Sequence, residues 1–285
     1  MGFSAMSTEP VFADSRQTRQ LARQRAITEA VMTEGAVRIE QLAARFGISV
    51  MTVHRDLDEL EGRGLLRKSR GIATATPTSL VESSDVYRAS RQLAEKEALA
   101  RCALELVEPG QAILLDDSTT VLHLARRLQA KAPLTVITNV LTIMDELRGV
   151  RGITLIGLGG QYYNWCSAFM GRITTQSISM LHADTFIMST AAITNDIVFH
   201  QSLETVDVKR AMFDAAARRI LLADHTKFDK QALHALVPLS DFDTVIVDDA
   251  TPTEHLLRLR GKGVHVIRAP QYSTDRNPAT KDGKR

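Results

Sequence analysis

The sequence predicts two folds in series, an N-terminal winged helix-turn-helix domain and then a larger Rossmann-like α/β domain. Three observations carry this. The stretch Ile39 to Leu66, IEQLAARFGISVMTVHRDLDELEGRGLL, reads as two short amphipathic helices with their stop and cap residues, and the basic, strand-like LLRKSRGIATA follows it. From Glu95 onward short apolar runs alternate with helical stretches, the grammar of βαβ units. Charge is also divided unevenly: eleven Arg/Lys stand against seven Asp/Glu between Arg16 and Arg70, a local +4 in a chain whose net charge is +2. A small basic reader joined to a near-neutral larger domain fits that asymmetry.

Taken in order, residues 1 to about 15 read as a tail. Arg16 to Glu34 reads as a helix with Ile27, Ala30 and Val31 facing inward, and its basic start (Arg16, Arg19, Arg23, Arg25) offers either phosphate contacts or a solvated charged face. In the next helix Leu42, Ala43 and Phe46 share a face. Gly47 supplies the left-handed residue that stops it, and Ser49 caps the helix after it. That third helix splits by face: Val53, Leu57 and Leu60 recur toward a core, while Val50, Met51, Thr52, His54 and Arg55 are left near its exposed start, the end that enters a major groove in this motif. Gly62 and Gly64 make the next stop. Together with Arg38, Ser49, Lys68 and Arg70, those five residues form the expected DNA-binding set. An ordinary helical hairpin would share the hydrophobic period; the whole series of stops, caps and basic strand is what favours the winged unit.

After the wing, PTSLVESSDVYRAS has the Pro/Ser-rich polarity of a linker. The expected division is therefore 16–76 DNA-binding domain, 77–94 linker, 95–268 α/β domain and 269–285 a Pro, Lys and Asp rich disordered tail. Within the α/β domain the expected strands are AILLD (from Ala112), LTVIT (Leu134), ITLIG (Ile153), TFIMS (Thr185), RILLAD (Arg219), TVIVDD (Thr244) and VHVIR (Val264). Helices are expected over Leu99–Val107, Val121–Leu128, around Ile143 and Leu147, 173–181, Glu204–Ala217 and Thr253–Leu259.

Open α/β sheets bind ligands at the carboxyl ends of their strands. After the first strand comes Asp116-Asp117-Ser118-Thr119-Thr120, just before a helix, which suits either an anion such as phosphate or a plain helix cap. Thr138-Asn139 follows the second strand, Gly157-Leu158-Gly159-Gly160 the third, and Asp224-His225-Thr226-Lys227 a later one. Lys209 and Lys227 can neutralise a phosphate, and Asn139, Glu204 and Asp224 can bond sugar hydroxyls.

These residues carry a resemblance. Arg25 through Thr76, with ISVMTVHRDLDELEGRGLLRKSRG at its centre, resembles the N-terminal domain of the DeoR family of bacterial transcriptional regulators. His54 stands where that family usually has Arg, and SRG replaces its usual His-Gly-Gly. Asp116 with Ser118, Thr119 and Thr120, then Asn139, Gly159-Gly160, Glu204 with Lys209, and Asp224 with Lys227 resemble that family's sensor domain, although Ser118 occupies a place where many members carry Gly. The sensor fold is similar to ribose-5-phosphate isomerase, and the resemblance implies a phosphorylated sugar or polyol as effector. The segment Ala191 to Asp196, ending near His200-Gln201, matches little and is where ligand identity could be decided.

Other classes fit poorly. Two cysteines, Cys102 and Cys166, imply no disulfide framework, and Cys102 reads as a small core hydrophobe. No leader and no run of about 18 apolar residues is present, so a soluble cytoplasmic protein without membrane contact is expected. The histidines make no metal-ligand spacing, and His123, His182, His200, His225 and His234 read as scattered surface or core residues. GLGG lacks the dinucleotide fingerprint, and no phosphate loop or Gly-x-Ser-x-Gly elbow occurs. No metal, cofactor or catalytic residue is expected. The reading is a repressor of a carbohydrate catabolic operon that binds double-stranded operator DNA as a homo-oligomer, since one reader covers only a half-site. The alternative is an isomerase-like sugar-phosphate enzyme with an accessory nucleic-acid domain, using Glu204 or Asp224 as base.

Overall fold

The computed structural model describes residues 15–62, 65–75, 85–228 and 230–270. The chain divides between Val81 and Glu82 into two compact units. The expected N-terminal tail, Gly64 and the tail beyond Pro270 lie outside the described residues. So do the side chains of Arg16 and Arg25.

In the first unit, α1 (Ser15–Glu34) leads through β1 (Ala36–Arg38) into α2 (Ile39–Phe46) and α3 (Val50–Gly62), followed by the hairpin β2 (Leu66–Ser69) and β3 (Ile72–Ala75). The helical period works as expected: Ile27, Val31, Leu42, Val53, Leu57 and Leu60 are buried together with Leu65 and Leu66. Gly47 ends α2 at φ 62°, and the Ser49 hydroxyl accepts the Thr52 amide at 3.1 Å to start α3. Strand β3 lies between β1 and β2, both antiparallel to it. The β2–β3 turn places Arg70 (φ 48°) and Gly71 (φ 77°) in the left-handed region, as a two-residue turn between right-twisted strands requires.

The second unit begins before its expected boundary. Residues 85–94, expected as linker, hold α4 (Asp85–Ala89) and the start of α5 (Leu93–Leu104). Their polarity serves this unit: the Asp85 amide donates to the Trp165 carbonyl at 2.9 Å, and the Ser167 hydroxyl donates to the Asp85 carboxylate at 2.7 Å. The elements that follow are β4 (Ala112–Leu115), α6 (Thr119–Ala125), β5 (Leu134–Thr138), α7 (Leu141–Leu147), β6 (Ile153–Gly157), β7 (Gln161–Tyr163), β8 (Ala168–Met170), α8 (Arg172–Ile178) and β9 (Ala183–Ser189). Then come β10 (Ala192–Thr194), β11 (Ile197–His200), α9 (Leu203–Asp214), β12 (Ala216–Ala223), β13 (His234–Pro238), β14 (Thr244–Asp248), α10 (Thr253–Gly261) and β15 (Val266–Ala269).

The main sheet runs β15-β14-β12-β9-β4-β5-β6 with every neighbour parallel. Helices cover both faces of such a sheet, so its central strands carry buried apolar runs: Ile113, Leu114, Leu115, Phe186, Ile187, Ile220 and Leu221 are fully buried. The helix expected over Glu204–Ala217 stops at Asp214, and Ala216 instead pairs with Ala183 to open β12. Alanine suits either state, and the pairing decides. Ala269, expected in the tail, is buried in β15. The three-stranded sheet β10-β11-β13 and the β7–β8 hairpin were not expected, because most of their strands are only three or four residues long and too short to show a period.

Candidate functional site

On the first unit the exposed start of α3 presents two apolar side chains, Val50 and Met51, at 42% and 68% exposure, with Arg55 exposed one turn on and Thr52 and His54 half-buried. Thr52 also shares a 2.8 Å hydroxyl contact with Ser49, beside the cap that Ser49 makes on the Thr52 amide. Arg38 is exposed at the foot of α2, and Arg70 stands at the tip of the β2–β3 turn. Arg23, Arg45 and Lys68 are among the basic residues with partners within the unit. Arg23 grips the buried Asp56 of α3 through two bonds of 2.5 and 3.0 Å, which leaves it committed to holding α1 against α3 rather than available to a phosphate. Lys68 is held by Asp58. That pair is solvent-exposed and so weak, and a phosphate could displace Asp58.

In the second unit a cleft of about 240 Å³ opens over β4, β9 and β12. Strand order reverses between β4 and β9, the place where doubly wound sheets leave a crevice at their carboxyl ends. Six of the expected effector residues line it: Ser118, Thr119, Thr120, Lys209, Asp224 and Lys227. Five do not. Asp116 lies beneath the wall, fully engaged: it accepts the Ser118 amide (3.1 Å) and hydroxyl (2.6 Å), the Ser189 amide (3.0 Å) and the Lys209 ammonium (2.5 Å). It positions the cleft and does not face it.

Asn139 is buried against β8, whereas Gly159 is exposed and Gly160 half-buried on the loop that leads into β7. The Asn139 side-chain amide donates to the Phe169 carbonyl at 2.7 Å, and the Gly159 carbonyl accepts the Thr174 hydroxyl at 2.8 Å. Gly160, at φ 154°, lies so close to α8 that an added Cβ would stand 2.1 Å from the Thr174 hydroxyl. Its glycine serves that packing rather than a ligand. Glu204 is exposed in the first turn of α9, where it accepts the Ser202 hydroxyl at 2.8 Å.

The remaining cleft residues come from segments without a motif. Arg88, Arg91, Gln92 and Lys96 reach it from the stretch around α4 and α5, Ser189, Thr190 and Ala191 from the end of β9, His200 and Gln201 from the end of β11, and Thr226 and Lys230 from the loop after β12. His200 is therefore part of the site and not a scattered histidine. Burial and the Lys209 charge push its imidazole down to about 3, so it is neutral at physiological pH.

Charge dominates the cleft. Lys209 is buried between Asp116 (2.5 Å) and Asp117 (3.1 Å), and their attraction outweighs burial and raises its pKa. Asp117 also faces Arg88 at 3.7 Å and is held well below the ordinary carboxylate range by these two cations, despite its burial. Lys227 stands 3.6 Å from Asp224, yet burial, Lys230 and Arg88 lower its pKa. Asp224 uses one oxygen for the Thr226 amide and hydroxyl, while its buried Oδ2 has no hydrogen-bond partner.

Beside the cleft, the fold brings Glu95, His225 and Asp248 within 4.8 Å of one another, a grouping no sequence spacing announced. Asp248 is already bound by the His225 amide (2.7 Å), its ring (2.6 Å) and the Thr251 hydroxyl (2.7 Å), which together satisfy the carboxylate without an ion. Cys102 is half-buried and Cys166 buried, both free thiols, and burial pushes the Cys166 thiol far up. No helix among the described residues is long and apolar enough to cross a membrane.

Two family models match this geometry domain by domain: the DeoR-like helix-turn-helix domain over residues 23–78 and the DeoR C terminal sensor domain over residues 91–249. The chain belongs to the DeoR family. It is a DNA-binding transcriptional repressor and not an isomerase-like enzyme, as its curated relatives also are by name. One relative is the transcriptional repressor AccR of Agrobacterium fabrum, 34% identical over 81% of this chain and 90% of its own. A second is the putative aga operon transcriptional repressor of Escherichia coli O157:H7, 29% identical over 92% and 98%. The glycerol-3-phosphate regulon repressor of Escherichia coli K12 is 29% identical over 85% and 98%. Among solved structures, ribose 5-phosphate isomerase A of Methanocaldococcus jannaschii is a much looser likeness, with TM-score 0.35 and 15% identity over 47% of this chain and 53% of that one.

Proposed function

We propose that this DeoR-family repressor occupies its operator through the start of α3 and the β2–β3 wing, and releases it when a phosphorylated sugar or polyol fills the sensor cleft. The observation that carries the effector half is the lining: six cationic side chains and the hydroxyls of Ser118, Thr119 and Thr120 surround a cleft with a single carboxylate, Asp224. Cations and hydroxyls serve a phosphate; the Asp224 oxygen that makes no hydrogen bond serves a sugar hydroxyl. Arg38, Ser49, Val50, Met51, Thr52, His54, Arg55, Lys68 and Arg70 make up the DNA contact set. The repressor works in the cytoplasm, on DNA, as a homo-oligomer whose copies read repeated half-sites.

The relatives' names support a carbohydrate or polyol phosphate: one concerns a glycerol-3-phosphate regulon and others a lactose phosphotransferase system. A thermal-shift screen of sugar phosphates tests the reading, since a ligand of the folded state at about 100 times its dissociation constant stabilises by about 2.7 kcal/mol. In the variant Thr119→Ala, ligand binding should weaken by about 0.5–1.5 kcal/mol while operator binding without ligand stays at the wild-type level. Full ligand response in Thr119→Ala, Thr120→Ala and Lys227→Ala alike would move the effector site elsewhere.

A further inference from the structure

Val50 and Met51 open α3, and both are exposed, at 42% and 68%. Apolar side chains scattered singly over a surface need no explanation, but these two are adjacent, on the helix end that carries Ser49, Thr52 and Arg55. Met51 and Arg55 stand four residues apart and so share one outward stripe, clear of Val53, Leu57 and Leu60, which pin the opposite face.

The charges along α3 tell what covers that stripe. The helix dipole favours acidic residues at a helix start and basic ones at its end. In α3 the order is reversed: the first turn holds no acidic residue and the last turn no basic one, while His54 and Arg55 come early and Asp58, Glu59 and Glu61 late. The helix forgoes that stabilisation at both ends and leaves its start to a polyanion. The excess of eleven Arg/Lys over seven Asp/Glu between Arg16 and Arg70 has the same sign.

A duplex offers apolar side chains one particular group in the major groove. The base edges there present hydrogen-bond acceptors and donors, and thymine adds its C5-methyl. Against another base, Val50 and Met51 would strip water from a donor or acceptor and leave it unpaired, which costs affinity. We propose that Val50 and Met51 pack on thymine methyl groups, so that each half-site of the operator carries thymine opposite the start of α3. This rests on the groove reading of α3 given above.

The test uses the full-length protein and the duplex most enriched from a randomised pool retained on it. Each thymine of that duplex is replaced in turn by deoxyuridine, which removes the methyl and keeps the base pair. In gel-shift titrations at fixed salt, one or two positions per half-site should weaken binding about fourfold each, the worth of one buried methyl. The double variant Val50→Ser, Met51→Gln should bind the thymine and deoxyuridine duplexes alike. Met51→Gln alone, at the more exposed position, should remove the penalty at one thymine. Deoxyuridine without effect at every position overturns the inference, whether or not a variant folds. The groove reading then stands if Arg55→Ala still weakens binding to the selected duplex, and falls with the inference if it does not. A penalty that persists in folded Met51→Gln and in the double variant sets the methyls against other residues, which also overturns the inference. Loss of DNA binding together with loss of assembly in sedimentation makes Val50 and Met51 a contact between copies and overturns it too. A pool from which no sequence is enriched removes the groove reading itself, and this inference with it.

Discussion

The start of α3, proposed to read DNA, and the sensor cleft, proposed to hold the effector, are built in opposite ways. The residues proposed to read DNA lie within one stretch, Ser49 to Arg55, where Ser49, Val50, Met51 and Arg55 are exposed on a helix whose other face is pinned by Val53, Leu57 and Leu60. The cleft is assembled from separate segments around the sheet's reversal point, and its charges are buried and press on one another. Surface charges on the reader cost little to hold in water. Those in the cleft are paid for by the core around them. A surface that meets a polyanion many times its size needs only to be presented; a site that must discriminate a small anion needs its charges desolvated, because only there is one hydrogen bond worth a tenfold change.

Four expectations would break or sharpen this contrast. The largest concerns the support beneath the cleft. Asp116→Ala removes the acceptor of four bonds and leaves the buried Lys209 with Asp117 alone, which should cost about 3–5 kcal/mol of sensor stability. A melting temperature near the wild-type value would show that Asp116 is not the support these bonds imply.

Lys96→Met should act in the reverse sense, stabilising the ligand-free protein by about 1–4 kcal/mol at neutral pH, because it removes an uncompensated buried charge. The pH dependence follows from the same shift. The folded-state pKa of about 7 lies below the ordinary 10.5, so between those values the unfolded chain holds more protons and the Lys96 contribution to stability rises with pH. Melting temperatures measured from pH 6.5 to 10 should show that rise in the wild type, and the variant should lack this component. Ligand affinity should run the other way, falling as the pH climbs past 7, since an anion at Lys96 favours its protonated form.

On the reader, Arg55→Ala should weaken binding to the specific operator by about 1–3 kcal/mol with random DNA unaffected, and the cleft's ligand affinity should not change. Equal loss on both DNAs in a gel-shift titration would make Arg55 a phosphate clamp. The smallest effect is expected at Ser49→Ala, which removes the cap on Thr52 and should cost the first unit about 1 kcal/mol in thermal unfolding. Because the cap also orients the helix start, operator affinity should fall with it; a stable variant that still loses affinity would place the Ser49 hydroxyl on the DNA.

The sequence by itself determined the elements whose information is local. The 3.6-residue period of α2 and α3, the left-handed Gly47 and the Ser49 cap are each written within a few residues, and so are the apolar runs of β4, β5, β6 and β9. The strand-end reading already offered Ser118, Thr119, Thr120, Lys209, Asp224 and Lys227, and the family resemblance added the sensor fold. Tertiary structure alone decided which strand ends meet. Asn139, Gly159, Gly160 and Glu204 were as plausible as any, but Asn139 is tied to β8, Gly160 packs against α8, and Gly159 and Glu204 are exposed outside the cleft lining. Asp116 became a support because four donors converge on it from three segments. Arg88 and Lys96 could not be found from spacing, since a polar stretch that bonds a neighbouring surface has the same composition as a linker in water. Hydrophobic periodicity records which face of an element is buried; the partner of a charge lies across the sheet, recorded only in the order of its strands.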